Sequence, residues 1–203
     1  MITLVDYGIG NVKAFVNIYK RLNIPVQSAQ TAEQLAGAQK IILPGVGAFD
    51  WAMSRLSKSG MRECLDELVK VEKRPVLGIC VGMQMMAKSS AEGELQGLGW
   101  VDASVKYFGE KGFTENIQLP HMGWNDVSPK RSEVLFKDMK SPQFYFLHSY
   151  YFEPSKPDQV LSTTDYNGRF TSAVQSGHIF GVQFHPEKSH QWGVQLLRNF
   201  AEL

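Results

Sequence analysis

The sequence is poor in cysteine and carries almost no net charge. It has 2 cysteines in 203 residues, Cys64 and Cys80, which form neither a CxxC pair nor a disulfide framework. Its 21 basic and 20 acidic residues leave a formal net charge of +1, which argues against a strongly electrostatic nucleic-acid binder. Because the histidines and cysteines lack the spacing of a ligand set, no metal site is expected.

Long apolar runs are also missing. None reaches the ~18 residues that a membrane span needs, and the N-terminal stretch MITLVDYGIGN lacks the basic region and cleavage site of a signal peptide. Gly8-Ile9-Gly10 begins like a dinucleotide fingerprint, but the final glycine is absent, so no nicotinamide or flavin cofactor is expected. These absences favour a cytoplasmic protein that acts without a cofactor, a membrane or a nucleic acid.

The first half of the sequence alternates short apolar runs with helical periodicity. Strands are expected at residues 1–6, 25–28, 40–43 and 75–79, and helices at residues 12–22, 31–36 and 61–69. Asn11 and Thr31 are the expected N-caps of the first two helices. This rhythm predicts a parallel sheet that is covered by helices on both faces.

The second half, after about residue 97, is richer in strand patterns. Strands are expected at residues 100–108, 144–152, 160–164, 170–175 and 179–184, and a last helix carries Trp192 and Phe200 on one face. The expected fold is one α/β domain, residues 1–203, in three layers. Its central sheet is mixed but mostly parallel, and a β-rich C-terminal half returns strands to that sheet.

Cys80 lies in the segment Gly78-Ile79-Cys80-Val81-Gly82, between a strand and a helical stretch at residues 83–88. This is the setting of a nucleophile elbow, with cysteine in place of serine and glycines that permit a sharp turn. The positive end of the following helix would favour the thiolate. A free cysteine is more often a small buried hydrophobe, which is our interpretation of Cys64, but the flanking glycines favour a nucleophile at position 80.

A thiolate that attacks an amide needs a proton shuttle with an oriented partner. Of the 5 histidines, only His185 ends a predicted strand and has a carboxylate nearby, in His185-Pro186-Glu187. Pro186 restricts the backbone, so Glu187 is able to accept from one ring nitrogen while the other faces the sulfur. The tripeptide alone fits an exposed turn, but together with the elbow it indicates a nucleophile and its base. His178 follows a turn glycine and is expected to be solvated.

A tetrahedral intermediate at this cysteine needs backbone donors for its oxyanion. The Val81 N–H follows the nucleophile directly, and the segment Pro44-Gly45-Val46-Gly47, at the end of another strand, is the natural source of a second donor. A peptide flanked by glycine flips at low steric cost, so the Val46–Gly47 peptide is also a candidate switch. An ordinary strand-ending turn explains the segment about equally well.

Six blocks of the sequence resemble the class I, or triad, glutamine amidotransferases, and more narrowly the glutaminase subunits of imidazole glycerol phosphate synthases. They keep the family's order and run nearly end to end: DYGIGN at 6–11, LPGVGAFDWAM at 43–53, PVLGICVGMQ at 75–84, PHMGWN at 120–125, FLHSYYF at 146–152 and GVQFHPEKS at 181–189. The resemblance implies a class I amidotransferase domain in which a Cys80–His185–Glu187 triad releases ammonia from glutamine.

The resemblance also implies roles for residues outside the triad. The oxyanion hole would be formed by the backbone of Val46, Gly47 and Val81. The glutamine pocket would consist of Gly47, Gln84, Glu92, Ser149 and Tyr150. The partner interface would include Asn11, Trp124, Asn125, Tyr145 and Lys188.

Similar glutaminase subunits form a heterodimer with a (β/α)8-barrel cyclase and are nearly silent until that partner binds its nucleotide. The cyclase receives ammonia through an internal channel and forms imidazole glycerol phosphate and aminoimidazole carboxamide ribotide in histidine biosynthesis. A chain of this length has no room for a separate acceptor-binding domain. It is therefore expected to supply ammonia to such a barrel, as a glutamine-hydrolysing part of a lyase complex.

Three alternatives stay open on the sequence alone. Residues 98–104 depart from the family, which commonly continues with a Pro-Gly pair, and the segment 100–120 diverges further. This keeps open a paralogous glutaminase that feeds a barrel partner making amidino sugars for surface polysaccharide such as lipopolysaccharide. A stand-alone γ-glutamyl cysteine hydrolase would be active without a partner. A non-catalytic regulatory subunit would have no chemical need for Cys80, His185 or Glu187.

Overall fold

The computed structural model describes residues 1–109, 117–131 and 133–203. The N-terminal part alternates strands and helices in the order β1 (Ile2–Val5), α1 (Val12–Arg21), β2 (Val26–Ala29), α2 (Ala32–Leu35), β3 (Lys40–Gly45), α3 (Phe49–Lys58), α4 (Arg62–Asp66), β4 (Val76–Cys80) and α5 (Val81–Gln84). A π-helical turn, Glu67–Val71, continues α4. Asn11 caps α1 as predicted, since its side-chain oxygen accepts from the Ala14 N–H at 3.2 Å.

The C-terminal part is dominated by strands. Its elements are β5 (Ser89–Ser90), β6 (Ala103–Tyr107), β7 (His121–Asp126), β8 (Ser128–Pro129), β9 (Gln143–His148), β10 (Tyr150–Pro154), β11 (Val160–Asp165), β12 (Arg169–Ser176), β13 (Ile179–Val182) and α6 (His190–Ala201). Short 3-10 turns lie at Pro157–Gln159 and Pro186–Lys188. Residues 110–116 of the divergent 100–120 segment lie outside the described residues.

The central sheet has eight strands in the order β2-β1-β3-β4-β13-β12-β11-β8. The pairs from β2 to β13 are parallel, and those from β13 to β8 are antiparallel. Every residue of β4 is buried, which requires cover on both faces of the sheet. The mixed, mostly parallel sheet and the return of C-terminal strands to it are therefore confirmed.

The neighbouring strands β4 and β13 position the candidate site. They run parallel, with Ile79 paired to Val182, although a hundred residues of chain separate them. The carboxyl ends of parallel strands meet at one edge of a sheet. Cys80, the last residue of β4, and His185, just beyond β13, therefore arrive at the same edge.

Residues 144–152, expected as one strand, form two strands in different sheets. The chain breaks at Ser149: β9 pairs with β7, whereas β10 joins β6 and β5 in a three-stranded sheet. The two small sheets were not expected. Alternation of apolar and polar residues reports which side chains face inward, but it does not report which sheet a strand joins.

Two helices also differ from the expectation. The α3 helix was not predicted, and the helix expected at residues 83–88 is the shorter α5, which starts earlier, at Val81. Beyond Gln84 the chain bonds to a distant segment, since Leu98 N donates to Met85 O at 2.7 Å and Val101 N to Met86 O at 3.0 Å. These long-range bonds replace the helical ones. In the described part of the chain, no helix is both long and apolar enough to cross a membrane.

Candidate active site

Cys80 occupies a sharp turn between β4 and α5. Its backbone has φ 54° and ψ −113°, a conformation that residues with a Cβ rarely adopt. A Cβ on Gly82 would lie 2.0 Å from the Leu43 carbonyl oxygen, and one on Gly45 would lie 2.3 Å from the Gly82 nitrogen. The turn is thus packed backbone to backbone against the end of β3, as a nucleophile elbow requires. With four residues, α5 supplies less helix dipole than the longer helix that was expected.

His185 and Glu187 form a buried pair beside the elbow. The His185 Nδ1 and the Glu187 Oε1 are 2.8 Å apart, and each side chain is 3% exposed. Burial alone would lower the pKa of His185, but hydrogen bonds to Cys80 and Glu187, reinforced by their charges, raise that pKa to about 10. The carboxylate thus holds one side of the imidazole, and this setting, with Cys80 close by, favours the charged form of the ring.

A cavity of about 340 Å³ opens over Cys80. Its walls include every residue that the resemblance implied for the oxyanion hole and the glutamine pocket, namely Val46, Gly47, Val81, Gln84, Glu92, Ser149 and Tyr150. Pro120, Leu147, His148 and Lys188 complete its lining together with Cys80 and His185. Such a concave site with a few convergent polar groups is typical of a small-molecule pocket.

The segment Pro44–Gly47 forms one rim of this cavity. Gly47 has φ +84°, a conformation suited to glycine. The base of the segment is held by Tyr7, whose hydroxyl donates to the Pro44 carbonyl oxygen at 2.6 Å. Burial, with a smaller effect of charge on Cys80, raises the pKa of Tyr7, so its hydroxyl stays a donor.

Polar side chains fix the far side of the cavity. Glu92 Oε2 accepts from the Phe49 N–H at 2.9 Å, at the start of α3. The pKa of Glu92 is raised mainly by burial and, to a smaller extent, by the nearby charge of Asp50, although the Phe49 N–H opposes this shift. Gln84 Nε2 donates to the Tyr150 carbonyl oxygen at 3.2 Å, which joins α5 to β10.

Gln183 belongs to the site although sequence reasoning missed it. Its Nε2 lies 3.9 Å from Cys80 Sγ, and its Oε1 accepts from Gln84 Nε2 at 3.1 Å. The side chain is 0% exposed. The signal in the sequence was a lone carboxamide between two apolar neighbours, Val182 and Phe184, just before the candidate base.

A second pair of buried histidines lies next to the cavity. His121 Nδ1 and His148 Nε2 are 2.9 Å apart, and His148 Nδ1 lies 2.7 Å from the Tyr150 carbonyl oxygen. Burial lowers the pKa of His121 to about 4 and that of His148 to about 3, so both rings are neutral near pH 7. His178, which was expected to be solvated, is half-buried and bonds through Nε2 to the Val69 carbonyl oxygen at 2.8 Å.

The residues implied for a partner interface fall into three settings. Trp124 stacks on His190 with ring centroids 5.3 Å apart, and Lys188 Nζ lies 5.6 Å from the Tyr145 ring centroid. Asn125 turns inward instead, with its Nδ2 3.2 Å from His121 Nε2. Asn11 is the N-cap of α1.

No group of three or more His, Cys, Asp or Glu side chains able to hold a metal ion occurs at residues 1–109, 117–131 or 133–203.

A family model described as glutamine amidotransferase class-I matches residues 3–203. The chain belongs to the class-I glutamine amidotransferases. The cavity over Cys80, which brings together the residues that the resemblance implied, is the candidate active site of the enzyme.

The amidotransferase has close relatives over its whole length. It is 58% identical to the imidazole glycerol phosphate synthase subunit HisH of Bdellovibrio bacteriovorus, with 100% of both chains covered. It is 50% identical to the subunit of the same name from Leptospira interrogans, again over 100% of both chains. A crystal structure of a glutamine amidotransferase matches with a TM-score of 0.77 at 20% identity, covering 99% of this chain and 97% of that one. At that identity the match shows the fold alone.

Proposed function

We propose that this amidotransferase is the glutaminase subunit of an imidazole glycerol phosphate synthase. It hydrolyses glutamine to glutamate and ammonia and passes the ammonia to a (β/α)8-barrel cyclase. The observation that carries the proposal is that Cys80 and His185 line one cavity, with His185 bonded at 2.8 Å to the buried Glu187. The HisH subunits of B. bacteriovorus and L. interrogans, similar to this chain along its full length, support the histidine-pathway role over an amidino-sugar role.

The first half of the reaction forms a thioester. The Cys80 thiolate attacks the side-chain carbonyl carbon of glutamine, and the C–S bond forms as the carbonyl oxygen becomes an oxyanion. Backbone N–H groups of Val81 and of the Val46–Gly47 segment receive that oxyanion. His185 then gives its proton to the leaving nitrogen, the C–N bond breaks, and ammonia departs from a γ-glutamyl thioester.

The second half releases glutamate. His185, now neutral, removes a proton from water, whose oxygen attacks the thioester carbonyl. The C–S bond breaks, glutamate leaves, and the sulfur is again a thiolate beside a protonated His185. Glu187 keeps one ring nitrogen occupied throughout, which orients the imidazole and stabilises its charge.

The polar walls of the cavity suit the α-amino and α-carboxylate groups of glutamine. We assign the ammonium group to Glu92, which brings a carboxylate into the cavity. The aromatic face formed by exposed Trp124 and half-buried Tyr145, next to Lys188, would receive the barrel partner. The Val46–Gly47 peptide would be the element that the partner sets into its productive orientation, and a variant locked in one orientation that is still activated normally would refute that role.

The test is glutamate release from glutamine by the purified chain, alone and with candidate barrel partners. Activation by a histidine-pathway cyclase together with its ribonucleotide ligand is the expected result. Activation only by a barrel from a polysaccharide pathway would retain the chemistry and change the acceptor. High activity without any partner would indicate a free hydrolase, and no activity with every partner would indicate a regulatory subunit.

A further inference from the structure

We propose that Gln183 is a further catalytic residue, which donates a carboxamide N–H to the Cys80 sulfur and stabilises its thiolate. The inference rests on the proposed function, since it concerns the nucleophile of that reaction. Gln183 Nε2 lies 3.9 Å from Cys80 Sγ, within reach of a hydrogen bond to sulfur. His185, which lines the same cavity, also interacts with that sulfur, and its pKa is raised by it.

Complete burial makes the presence of a carboxamide at position 183 informative. Gln183 and its neighbours Val182 and Phe184 are each 0% exposed. A buried amide is costly unless its donors and acceptor are satisfied, and an apolar side chain would fill the same space without that cost. The backbone of Gln183 already bonds to Ser172 O at 2.9 Å, so the side chain is not needed to hold the strand.

The hydrogen-bond network fixes which end of the carboxamide faces the sulfur. The Tyr150 carbonyl only accepts, so Gln84 must present its Nε2 to it, at 3.2 Å. The same Gln84 Nε2 then donates to Gln183 Oε1 at 3.1 Å. With its oxygen committed to Gln84, Gln183 is left with its N–H groups towards Cys80.

The chemistry gives this donor a role that His185 does not fill. His185 loses its proton to ammonia and regains one from water, so its charge changes during each cycle. A carboxamide keeps its protons, and it offers the same donor when the thiolate attacks and when it is expelled from the thioester. The titratable groups that face the sulfur are His185, with Glu187 behind it, and Tyr7; the neutral His148 lies on the same cavity.

The test compares alkylation of Cys80 by iodoacetamide across a pH series, in the full chain and in a Gln183→Met variant. Methionine keeps the length of the side chain and removes the donor. Mass spectrometry resolves the two thiols, so half-buried Cys64 is an internal reference. Gln175→Met, on β12, is the matched control, because within the described residues the Gln175 side chain bonds locally, to Gly177 O at 3.3 Å.

The expected result is a titration of Cys80 alkylation displaced to higher pH, with a rate near pH 7 lowered about tenfold, as for loss of one hydrogen bond to a charged group. Turnover of glutamine should fall with it, with little change in KM. Cys64 and the Gln175→Met variant should match the wild type. A folded Gln183→Met variant with the wild-type Cys80 profile would overturn the inference.

A second variant keeps the test decisive where Gln183→Met does not fold. Gln84→Met removes the donor that holds Gln183 Oε1, so the carboxamide becomes free to turn away from the sulfur. Slower Cys80 alkylation supports the inference, and an unchanged profile refutes it. If wild-type Cys80 reacted no faster than Cys64 and no partner elicited glutaminase activity, the proposed function would fail as well. If the wild type shows glutaminase activity with its partner, but Cys80 alkylation in both variants follows the wild-type pH profile, this inference alone fails.

Discussion

At the scale of single residues, Cys80 combines a strained backbone with the proposed nucleophile of the reaction. A non-glycine residue at φ 54° and ψ −113° costs on the order of 1–3 kcal/mol. The close packing of Gly45 against Gly82 holds the turn in place despite this cost. The turn places Cys80 on the wall of the cavity that His185 also lines.

Replacement of the nucleophile tests the mechanism most directly. Cys80→Ser should lower glutamine turnover by ~10³-fold or more, because a neutral hydroxyl replaces the thiolate. The measurement is glutamate release in the presence of the barrel partner. Ammonia supplied directly to the same complex is the control, and it should still support product formation. Near-wild-type turnover would remove Cys80 from the mechanism.

Glu187→Gln separates charge from shape at the triad. Glu187 Oε1 bonds to His185, whereas the buried Oε2 has no partner among the described residues, so an amide group fits there without breaking a bond. The variant should lose less turnover than the ~10³-fold expected for Cys80→Ser, since it removes orientation and charge but no reacting atom. Glutamate release with the partner, measured for both variants in parallel, gives the comparison. Equal losses would mean that the carboxylate does more than orient the ring.

Glu187→Gln should also change how the free energy of unfolding depends on pH. The pKa of His185 is about 10 in the folded state, above the ~6.5 of an unperturbed histidine. The folded state therefore holds the extra proton, and its contribution is complete below about pH 6.5 and lost as the pH rises towards 10. Because Glu187 supplies part of the shift, Glu187→Gln should lose this contribution at a lower pH than the wild type. Urea unfolding at pH 6.5, 8 and 9 measures the difference.

At the scale of elements, the β7–β9 pair contains two histidines that stay neutral. Their folded pKa values, about 4 for His121 and about 3 for His148, lie below the unfolded value of ~6.5. The unfolded state then binds more protons, so stability should fall as the pH drops below about 6.5, by ~1.4 kcal/mol per pH unit for each histidine. Urea unfolding at pH 7 and pH 5 measures this slope.

A variant of His121 tests whether this histidine causes the loss of stability in acid. His121→Phe keeps the stacking on Phe146 and Tyr166, whose centroids lie 4.6 and 4.0 Å away, and removes one titrating ring. The fall in the free energy of unfolding between pH 7 and pH 5 should become smaller, because one fewer proton is taken up on unfolding. Exposed His190 is the control, and His190→Asn should leave the slope unchanged. An unaltered slope in His121→Phe would place the acid sensitivity elsewhere.

The start of α3 holds the loop that carries Glu92. Asp50 accepts from the backbone N–H groups of Glu94 and Leu95, each at 3.0 Å, and Glu92 in turn caps α3 at Phe49. Asp50→Ala should release this loop and raise KM for glutamine about tenfold with a smaller effect on kcat, as for loss of charge-assisted hydrogen bonds. Asp50→Asn retains one acceptor oxygen, so its KM for glutamine should lie between those of the wild type and Asp50→Ala. A pure kcat effect would contradict the positioning role.

Comparison of the elements with the sequence shows that local signals determine some parts of this fold and not others. The strand expected at residues 75–79 is observed at Val76–Cys80, and Asn11 caps α1 as expected, because both signals act within a few residues. The break at Ser149 and the short α5 depend on pairing with segments far along the chain, which local periodicity does not encode. Gln183 escaped notice for the same reason, because its meaning comes from its contact with Cys80 across two strands.

At the scale of the whole molecule, the aromatic face is tied to the triad through β9. The Tyr145 carbonyl accepts from the His185 N–H at 2.9 Å, and the Tyr145 N–H donates to Ser189 Oγ at 3.0 Å. Ser189 Oγ donates in turn to the His185 carbonyl oxygen at 2.6 Å. Tyr145 also pairs with Trp124 of β7 in strand register. A partner that packs on this face would contact β9, whose Tyr145 is hydrogen-bonded to the backbone of His185, the proposed base.

Trp124 provides the test of that arrangement, because it is 47% exposed and its ring contacts are to His190 and Tyr145 at the same surface. Trp124→Ala should weaken partner binding about tenfold or more, as for other aromatic residues at the centre of an interface. The concentration of cyclase that gives half-maximal glutaminase activity measures the effect. Turnover at saturating cyclase should fall less, since the cavity residues are untouched.

Trp51, on α3, is the matched control, with 57% of its surface exposed and no part in the predicted interface. Trp51→Ala should titrate with the cyclase like the wild type. An equal loss in both variants would extend the docking surface from β7 to α3, next to the Pro44–Gly47 segment. A loss in Trp51→Ala alone would move the interface off the β7–β9 pair, and the link from Tyr145 to His185 would then lie outside the route by which the partner acts.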